Sequence, residues 1–291
     1  MRIFKFITKA TIILKANPFL GYRHIVCKCR IKIPSKKQFS VIKKIGKIRF
    51  DLRSRILDTS VEYRKELFFG CYELPVVRIL MTVLKKGDTF IDVGANIGYI
   101  SAIAMDLVGP QGQVHAFEPV KQYFRELKKL KILNKNYQLY LNNVAVGKSD
   151  GQHKMHCTKP PFLGGSTIVN GFLPKETPQE TQVVKIMRLD TYIRKNNIKK
   201  IKLIKIDVEG YEYSVLQGFV DQLFLLKKKP IIICEISPSA YVKIDYSLKQ
   251  LKKYMSDHGY VAKSILNPKV IIDIENLKDT QDVLFMSNSH N

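Results

Sequence analysis

The chain has 291 residues, 45% hydrophobic and 25% charged, which bounds it to one sizeable core plus an extension, or to two small domains. It holds no internal repeat, no low-complexity tract and no run of about 18 apolar residues, so neither a solenoid nor a transmembrane helix is expected. Its formal net charge of +24 favours an anionic partner such as nucleic acid, a membrane surface or a phosphorylated substrate.

Residues 1–50 carry fourteen Lys or Arg and no Asp or Glu. Ile3, Phe4, Phe6, Ile7, Ala10, Ile13 and Leu14 fall on one helical face, with Lys5, Lys9 and Lys15 breaking what would be a signal-peptide core. A basic amphipathic helix of this kind suits an anionic membrane surface, or a face of its own domain. Residues 1–71 are therefore read as a basic extension, with an amphipathic helix and short strands, preceding a domain over 72–291. Five cysteines, an odd number in a long chain, argue for reduced thiols and a cytoplasmic setting, with peripheral attachment to the inner face of a membrane as an option. Cys27-x-Cys29 with His24 lacks a fourth ligand at metal-site spacing, and no metal is expected.

From residue 72 strand and helix signals alternate, which predicts an α/β fold with a mostly parallel sheet covered by helices on both faces. Thr89–Val93 reads as the first strand and Tyr99–Leu107 as a helix closed by Gly109-Pro110. Gln113–Phe117 is the second strand, 121–134 a charged helix, and Gln138–Val146 the third strand. Residues 149–186, with Pro160-Pro161 and Gly164-Gly165, read as an inserted loop and hairpin. After a helix near 189–196, Lys202–Asp207 and Pro230–Ile236 are near-continuously apolar, as strands buried on two faces should be. Leu248–Asp257 is a helix. Tyr260–Ile265 and Asp282–Ser287 are the last strands, an antiparallel pair with a tight connection.

The chemistry concentrates at strand ends. Phe90-Ile91-Asp92-Val93-Gly94-Ala95-Asn96-Ile97-Gly98-Tyr99 takes a buried strand into a helix through a turn with almost no side-chain bulk, where glycine permits positive φ and close ligand approach. Glu118 follows Gly98 by 20 residues, at the end of the second strand, where a carboxylate accepts hydrogen bonds from vicinal ribose hydroxyls. Asn142-Asn143-Val144-Ala145-Val146-Gly147 sets an amide beside a small apolar wall, as an adenine ring needs. Asp207-Val208-Glu209-Gly210 puts two carboxylates at the end of the fourth strand, next to the first. A nicotinamide site is disfavoured because Ala95-Asn96 replaces the central glycine of Gly-x-Gly-x-x-Gly, and a Walker loop is excluded because no Gly-Lys-Ser/Thr follows. A nucleoside without phosphates fits this pattern, and S-adenosylmethionine is one.

The segments Gly87–Tyr99, Ala116–Pro119, Asn143–Gly147, Arg188–Thr191 and Ile204–Glu212 resemble, in order and spacing, the FkbM family of methyltransferases over about residues 70–240. The resemblance implies a seven-stranded, Rossmann-like class I methyltransferase fold that binds S-adenosyl-L-methionine. Carried over by position, Asp92, Gly94, Ala95, Asn96 and Gly98 would surround the methionine portion, Glu118 would hold the ribose, and Asn143 and Val144 would flank adenine. It also implies O-methylation of a hydroxyl on a sugar, glycolipid or secondary metabolite, so the expected partner is a small-molecule or glycan acceptor.

A hydroxyl acceptor benefits from losing its proton as the new bond forms. The candidate bases are Asp207 and Glu209, then Glu235 after the fifth strand, with one carboxylate free to hold the donor's ammonium. Glu209 could instead cap the following helix. Gly164-Gly165-Ser166-Thr167 is placed as a lid or a plain hairpin turn. Two other readings stay open: an RNA 2′-hydroxyl methyltransferase drawn by the basic charge, and a non-catalytic membrane-associated module that binds the nucleoside. Asp207-Val208-Glu209-Gly210 is not the Asn/Asp-Pro-Pro-aromatic sequence of enzymes that methylate adenine amines, and no cysteine sits after proline as cytosine-C5 chemistry requires.

Overall fold

A computed structural model describes residues 42–54, 56–57, 61–159, 162, 164–225 and 228–287. The expected amphipathic helix and the Cys27/Cys29 pair lie outside the described residues. A short hairpin, β1 (Ile42–Ile45) and β2 (Ile48–Asp51), is followed by α1 (Val61–Phe69) and α2 (Leu74–Val83). Then come β3 (Thr89–Val93), α3 (Tyr99–Val108), β4 (Gln113–Phe117), α4 (Lys121–Leu133), β5 (Gln138–Asn142) and β6 (Ala145–Val146). A long hairpin, β7 (Gly151–Thr158) and β8 (Gln179–Met187), precedes α5 (Leu189–Lys195), β9 (Leu203–Ile206), α6 (Glu212–Gln217) and β10 (Ile231–Ile236). The chain closes with α7 (Pro238–Tyr241), α8 (Leu248–Asp257), β11 (Tyr260–Ser264) and β12 (Gln281–Ser287).

Seven strands form one sheet in the order β11-β12-β10-β9-β3-β4-β5. β10, β9, β3, β4 and β5 run parallel, while β12 is antiparallel to both β10 and β11. Chain order reverses between β3 and β9, which opens a crevice at the carboxyl ends of both strands. β9 (Leu-Ile-Lys-Ile) and most of β10 are buried because helices cover both faces. One apolar cluster packs α2, α3 and α4 on one face; α5, α6 and α8 contribute to a second on the other. This is the seven-stranded, Rossmann-like architecture that the resemblance implies. Among the described residues no helix is long and apolar enough to cross a membrane.

Two local expectations need correction. Residues 138–146 are two strands: β5 ends at Asn142, and β6 pairs with β8 in a separate three-stranded sheet, β6-β8-β7. The break has a cause, because the Asn143 amide donates to the carbonyls of Glu118 (2.8 Å) and Pro119 (3.0 Å), anchoring the chain to the β4 exit. The link between β11 and β12 is not tight; it runs from Ile265 to Thr280 and contains a turn of 3₁₀ helix. Residues of the hairpin and the turn after it pack into the first cluster. Ile48, Phe50, Leu52 and Leu57 are fully or almost fully buried in the first cluster. Phe50 meets Tyr99 edge-on at 5.8 Å, and Asn134 exchanges two 2.8 Å hydrogen bonds with the Arg49 backbone.

Candidate active site

The turn after β3 is held from its neighbours. The amides of Gly94 and Ala95 donate to the Phe117 carbonyl at 3.0 and 2.9 Å. Gly94 has φ 83°, and a Cβ there would lie 1.7 Å from the Asp207 carbonyl oxygen. Glycine is needed here so that two strand exits can touch, besides any ligand. Gly98 has φ 87° and ends the turn; its bare Cα faces Leu127 and Leu130 of α4. Asn96 is also left-handed, at φ 51°, and its amide donates to Glu118 Oε2 at 2.8 Å.

Glu118 accepts a second backbone bond from Val120, 2.7 Å to Oε1, and is 4% exposed. Burial pushes its carboxyl up to about 8, against the two amide donors that favour its ionised form. Asp92 is fully buried; Ser101 Oγ donates to its Oδ2 at 2.6 Å, while Oδ1 has no partner. Burial raises its pKa also.

At the end of β9 the Lys205 ammonium lies 2.7 Å from Asp207 Oδ2 and 3.8 Å from Glu73 Oε2. Burial opposes the charge on Lys205, but the carboxylates of Asp207, Glu73 and Asp92 hold its pKa well above the usual value. Glu73, at the start of α2, has φ 46° and reaches in from outside the sheet. Burial lifts it to about 7.

Glu209 sits at φ 56°. It does not cap α6. Its Oε1 accepts the Gly165 amide at 3.0 Å, and its carbonyl accepts Thr167 Oγ1 at 2.6 Å. Glu212 fixes the turn instead, accepting the Gly210 amide at 2.8 Å. The Gly164 amide donates to Tyr123 Oη at 3.2 Å, so the glycine pair in the insertion is tied to the cleft from two sides. Burial raises Glu209 to about 7 and Glu235, on β10, to about 10. Carboxylate oxygens of Asp207, Glu209 and Glu235 all lie within 4.8 Å of one another.

These groups surround a cleft of about 150 Å³ at the carboxyl ends of β3, β4 and β9. Of the residues expected there from sequence, Asp92, Gly94, Ala95, Asn96, Glu118, Val144, Asp207 and Glu209 line it. Gly98, Asn143 and Glu235 do not; Gly98 packs against α4, Asn143 is exposed and holds the β4 exit, and Glu235 touches the cleft's carboxylates from β10. Sequence reasoning gave no role to Tyr63, Tyr72, Glu73, Tyr123 or Lys205, all of which line the wall. A lysine inside an otherwise apolar strand was the available signal for Lys205; Glu73 had none.

The cleft's chemistry fits a cationic, phosphate-free nucleoside. Asp92, Glu118, Asp207, Glu209 and Glu73 are acidic, and the one ammonium among the described residues of its lining, that of Lys205, already faces carboxylates. A phosphate ester would meet repulsion on most sides. The unpartnered Oδ1 of Asp92 is a further acceptor without a donor.

Comparison with known proteins agrees. Residues 92–262, more than half of the chain, match the methyltransferase FkbM domain family. The 31-O-demethyl-FK506 methyltransferase FkbM of Streptomyces tacrolimicus is 25% identical over 215 residues, 64% of this chain and 77% of that protein. The hexuronic acid methyltransferase AglP of Haloferax volcanii is 25% identical over 151 residues, 52% of this chain and 58% of that one. Among solved structures, Aeropyrum pernix fibrillarin with bound S-adenosyl-L-methionine covers 75% of this chain and 70% of its own, at 16% identity and a TM-score of 0.40. Strand order, and not that score, carries the fold. The chain belongs to the FkbM family of methyltransferases, and its methyl donor is S-adenosylmethionine.

Proposed function

We propose that the protein O-methylates a hydroxyl on a sugar, glycolipid or secondary metabolite, with Glu209 as the base. The observation that carries this reading is the trio Asp207, Glu209 and Glu235, within 4.8 Å of one another where β9 and β10 end. A bound donor supplies an electrophilic methyl group on a sulfonium; the rest is positioning and proton removal by the chain.

Asp92 and Asp207 offer acceptors to the methionine ammonium, Glu118 to the ribose hydroxyls, and Val144 an apolar wall to adenine. Holding an acceptor oxygen in line with the methyl group supplies roughly 7–11 kcal/mol of the barrier. The three carboxyls are not equivalent. Asp207 is committed to Lys205. Glu235, raised to about 10, holds its proton at neutral pH and donates rather than accepts. Glu209, raised to about 7, is matched to a proton that leaves near neutrality. Its bond to Gly165 couples that carboxylate to the loop over the cleft.

The test is a screen of hydroxyl-bearing glycans, glycolipids and polyketides with isotopically labelled donor, repeated with Glu209→Gln. The expected result is methyl ether formation, with kcat in the variant down by roughly 10²–10⁴ and donor affinity kept. Full turnover in Glu209→Gln removes it as the base; label found only on nitrogen or carbon removes the O-methylation reading.

A further inference from the structure

Glu73 stands apart from the other carboxylates of the cleft. It precedes the residues that match the family, 92–262, and reaches the site from the start of α2 and not from a strand end. Its backbone is left-handed, φ 46° and ψ 45°, a conformation that costs energy for a residue with a Cβ. It occupies the N-cap of α2, where its carbonyl accepts the Val77 amide at 2.9 Å, but its side chain makes no capping bond. The carboxylate is turned towards β9 instead, with Oε2 3.8 Å from Lys205 Nζ, beyond hydrogen-bond reach. Tyr72 meets Tyr63 of α1 edge-on at 4.9 Å and Tyr99 of α3 at 5.8 Å, which fixes the segment that carries Glu73.

The helix gains nothing from this arrangement, since a short polar N-cap in an extended conformation would serve it better. What the arrangement changes is the charge of the cleft. Asp207, Glu73 and Asp92 all act on one buried ammonium, that of Lys205, and Asp207 Oδ2 holds it at 2.7 Å. Three carboxylates around one lysine favour a second cation. Glu73 and Asp92 each also keep a buried oxygen, Oε2 and Oδ1, that no donor among the described residues reaches, and both residues line the cleft. Glu212 Oε2 is likewise without a donor, but Glu212 does not line the cleft. An ammonium carries three donors and no acceptor, which suits two such oxygens, whereas a hydroxyl brings a single donor and a carboxylate none. S-adenosylmethionine bears one ammonium, on its methionine portion.

We propose that Glu73 binds the ammonium of the methyl donor together with Asp92, while Asp207 stays with Lys205. The inference concerns the donor and stands whichever acceptor is methylated. Its consequence is that the strand ends alone do not complete the donor site: a residue ahead of the family-matched region supplies part of its methionine end.

The experiment is calorimetric titration of the full chain with S-adenosylhomocysteine and with its deaminated analogue, which keeps the thioether and the carboxylate and lacks the ammonium. The parent is expected to bind S-adenosylhomocysteine at least about tenfold more tightly than the analogue, the effect of a hydrogen bond between charged groups. In Glu73→Gln the affinity for S-adenosylhomocysteine should fall about tenfold or more, while the analogue keeps its parental affinity, so the preference for the ammonium largely disappears. Glu118→Ala is the contrast: it should weaken both ligands, because both carry the ribose. Should the glutamine variant fail to fold, Glu73→Gly gives the same comparison, since glycine suits the left-handed turn. A purely structural role for Glu73 would weaken the two ligands alike, and that outcome overturns the proposal. So does parental affinity for S-adenosylhomocysteine in Glu73→Gln, or a parent that binds both ligands equally well.

Discussion

Lys205 Nζ lies 2.7 Å from Asp207 Oδ2 across a single intervening residue, inside a strand whose other side chains are apolar and buried. Side chains two apart on a strand share a face, so the pair is built into β9 and faces the crevice where it meets β3. One buried cation thereby serves Asp207, Glu73 and Asp92, and removing it exposes the balance of the site.

Lys205→Met is expected to destabilise the free protein by about 3 kcal/mol, since removing one member of a buried ion pair leaves its partners uncompensated. Donor binding then stabilises the variant more than the parent, because a cationic ligand replaces the missing charge. Thermal denaturation with and without S-adenosylmethionine measures both. An equal ligand-induced shift in variant and parent would mean that Lys205 does not balance these carboxylates.

Stability should fall as pH rises from 6.5 to 8. Glu118 and Glu209 have folded-state pKa values raised from 4.5 to about 8 and about 7. The folded chain therefore binds more protons than the unfolded one above pH 4.5, and their stabilising contribution disappears through their folded pKa values. His115, buried beside Tyr192 and lowered from 6.5 to about 4, acts in the opposite sense, and its effect fades as the unfolded imidazole loses its proton above pH 6.5. Glu73, Glu212 and Glu235, raised by burial as well, act in the same sense, so the expected loss is at least about 2 kcal/mol over the interval, read from chemical denaturation at each pH. Glu209→Gln should lessen the slope while Glu118 keeps most of it, and a flat profile in the parent would contradict the burial argument.

Donor binding should release protons between pH 6.5 and 8. A sulfonium and an ammonium beside raised carboxyls favour their ionised forms, so protons leave as the ligand arrives. Calorimetric titration in two buffers of different ionisation enthalpy gives the number directly. Proton uptake, or none, would place the ligand's charge away from this cluster.

Glu118→Ala removes the acceptor of the Asn96 and Val120 amides along with the carboxylate facing the cleft. Hydrogen bonds to a charged group contribute about 1.5–3 kcal/mol each, so donor affinity should fall at least tenfold. Glu118→Gln keeps one oxygen acceptor and should fall between the two. Parental affinity in Glu118→Ala would remove the ribose assignment.

Two glycines with the same sign of φ should behave differently. Gly94→Ala puts a methyl 1.7 Å from the Asp207 carbonyl, and β3 and β9 must part to admit it. Gly87 has φ 85° with open space around its Cα, so alanine there brings backbone strain alone, about 1–2 kcal/mol. Soluble yield and melting temperature of the pair distinguish packing from conformational cost.

What the sequence determined is the alternation of strands and helices from Thr89 onward and the placing of Asp92, Glu118 and Asp207 at successive strand ends. Buried parallel strands announce themselves as short apolar runs, and a strand-to-helix turn needs glycine, so both features are local and legible. Only tertiary structure decided the rest. Glu73 joins the site from the start of α2 by a left-handed turn that no neighbouring residue signals. The hairpin at residues 42–51 becomes core because α3 and α4 present a face to it. Asn143 spends its amide on the β4 exit, and Glu209, adjacent to a helix it does not cap, reaches Gly165 across 44 residues of chain. A side chain's role there depends on which distant donor folding brings within 3 Å, and periodicity along the chain holds no record of that.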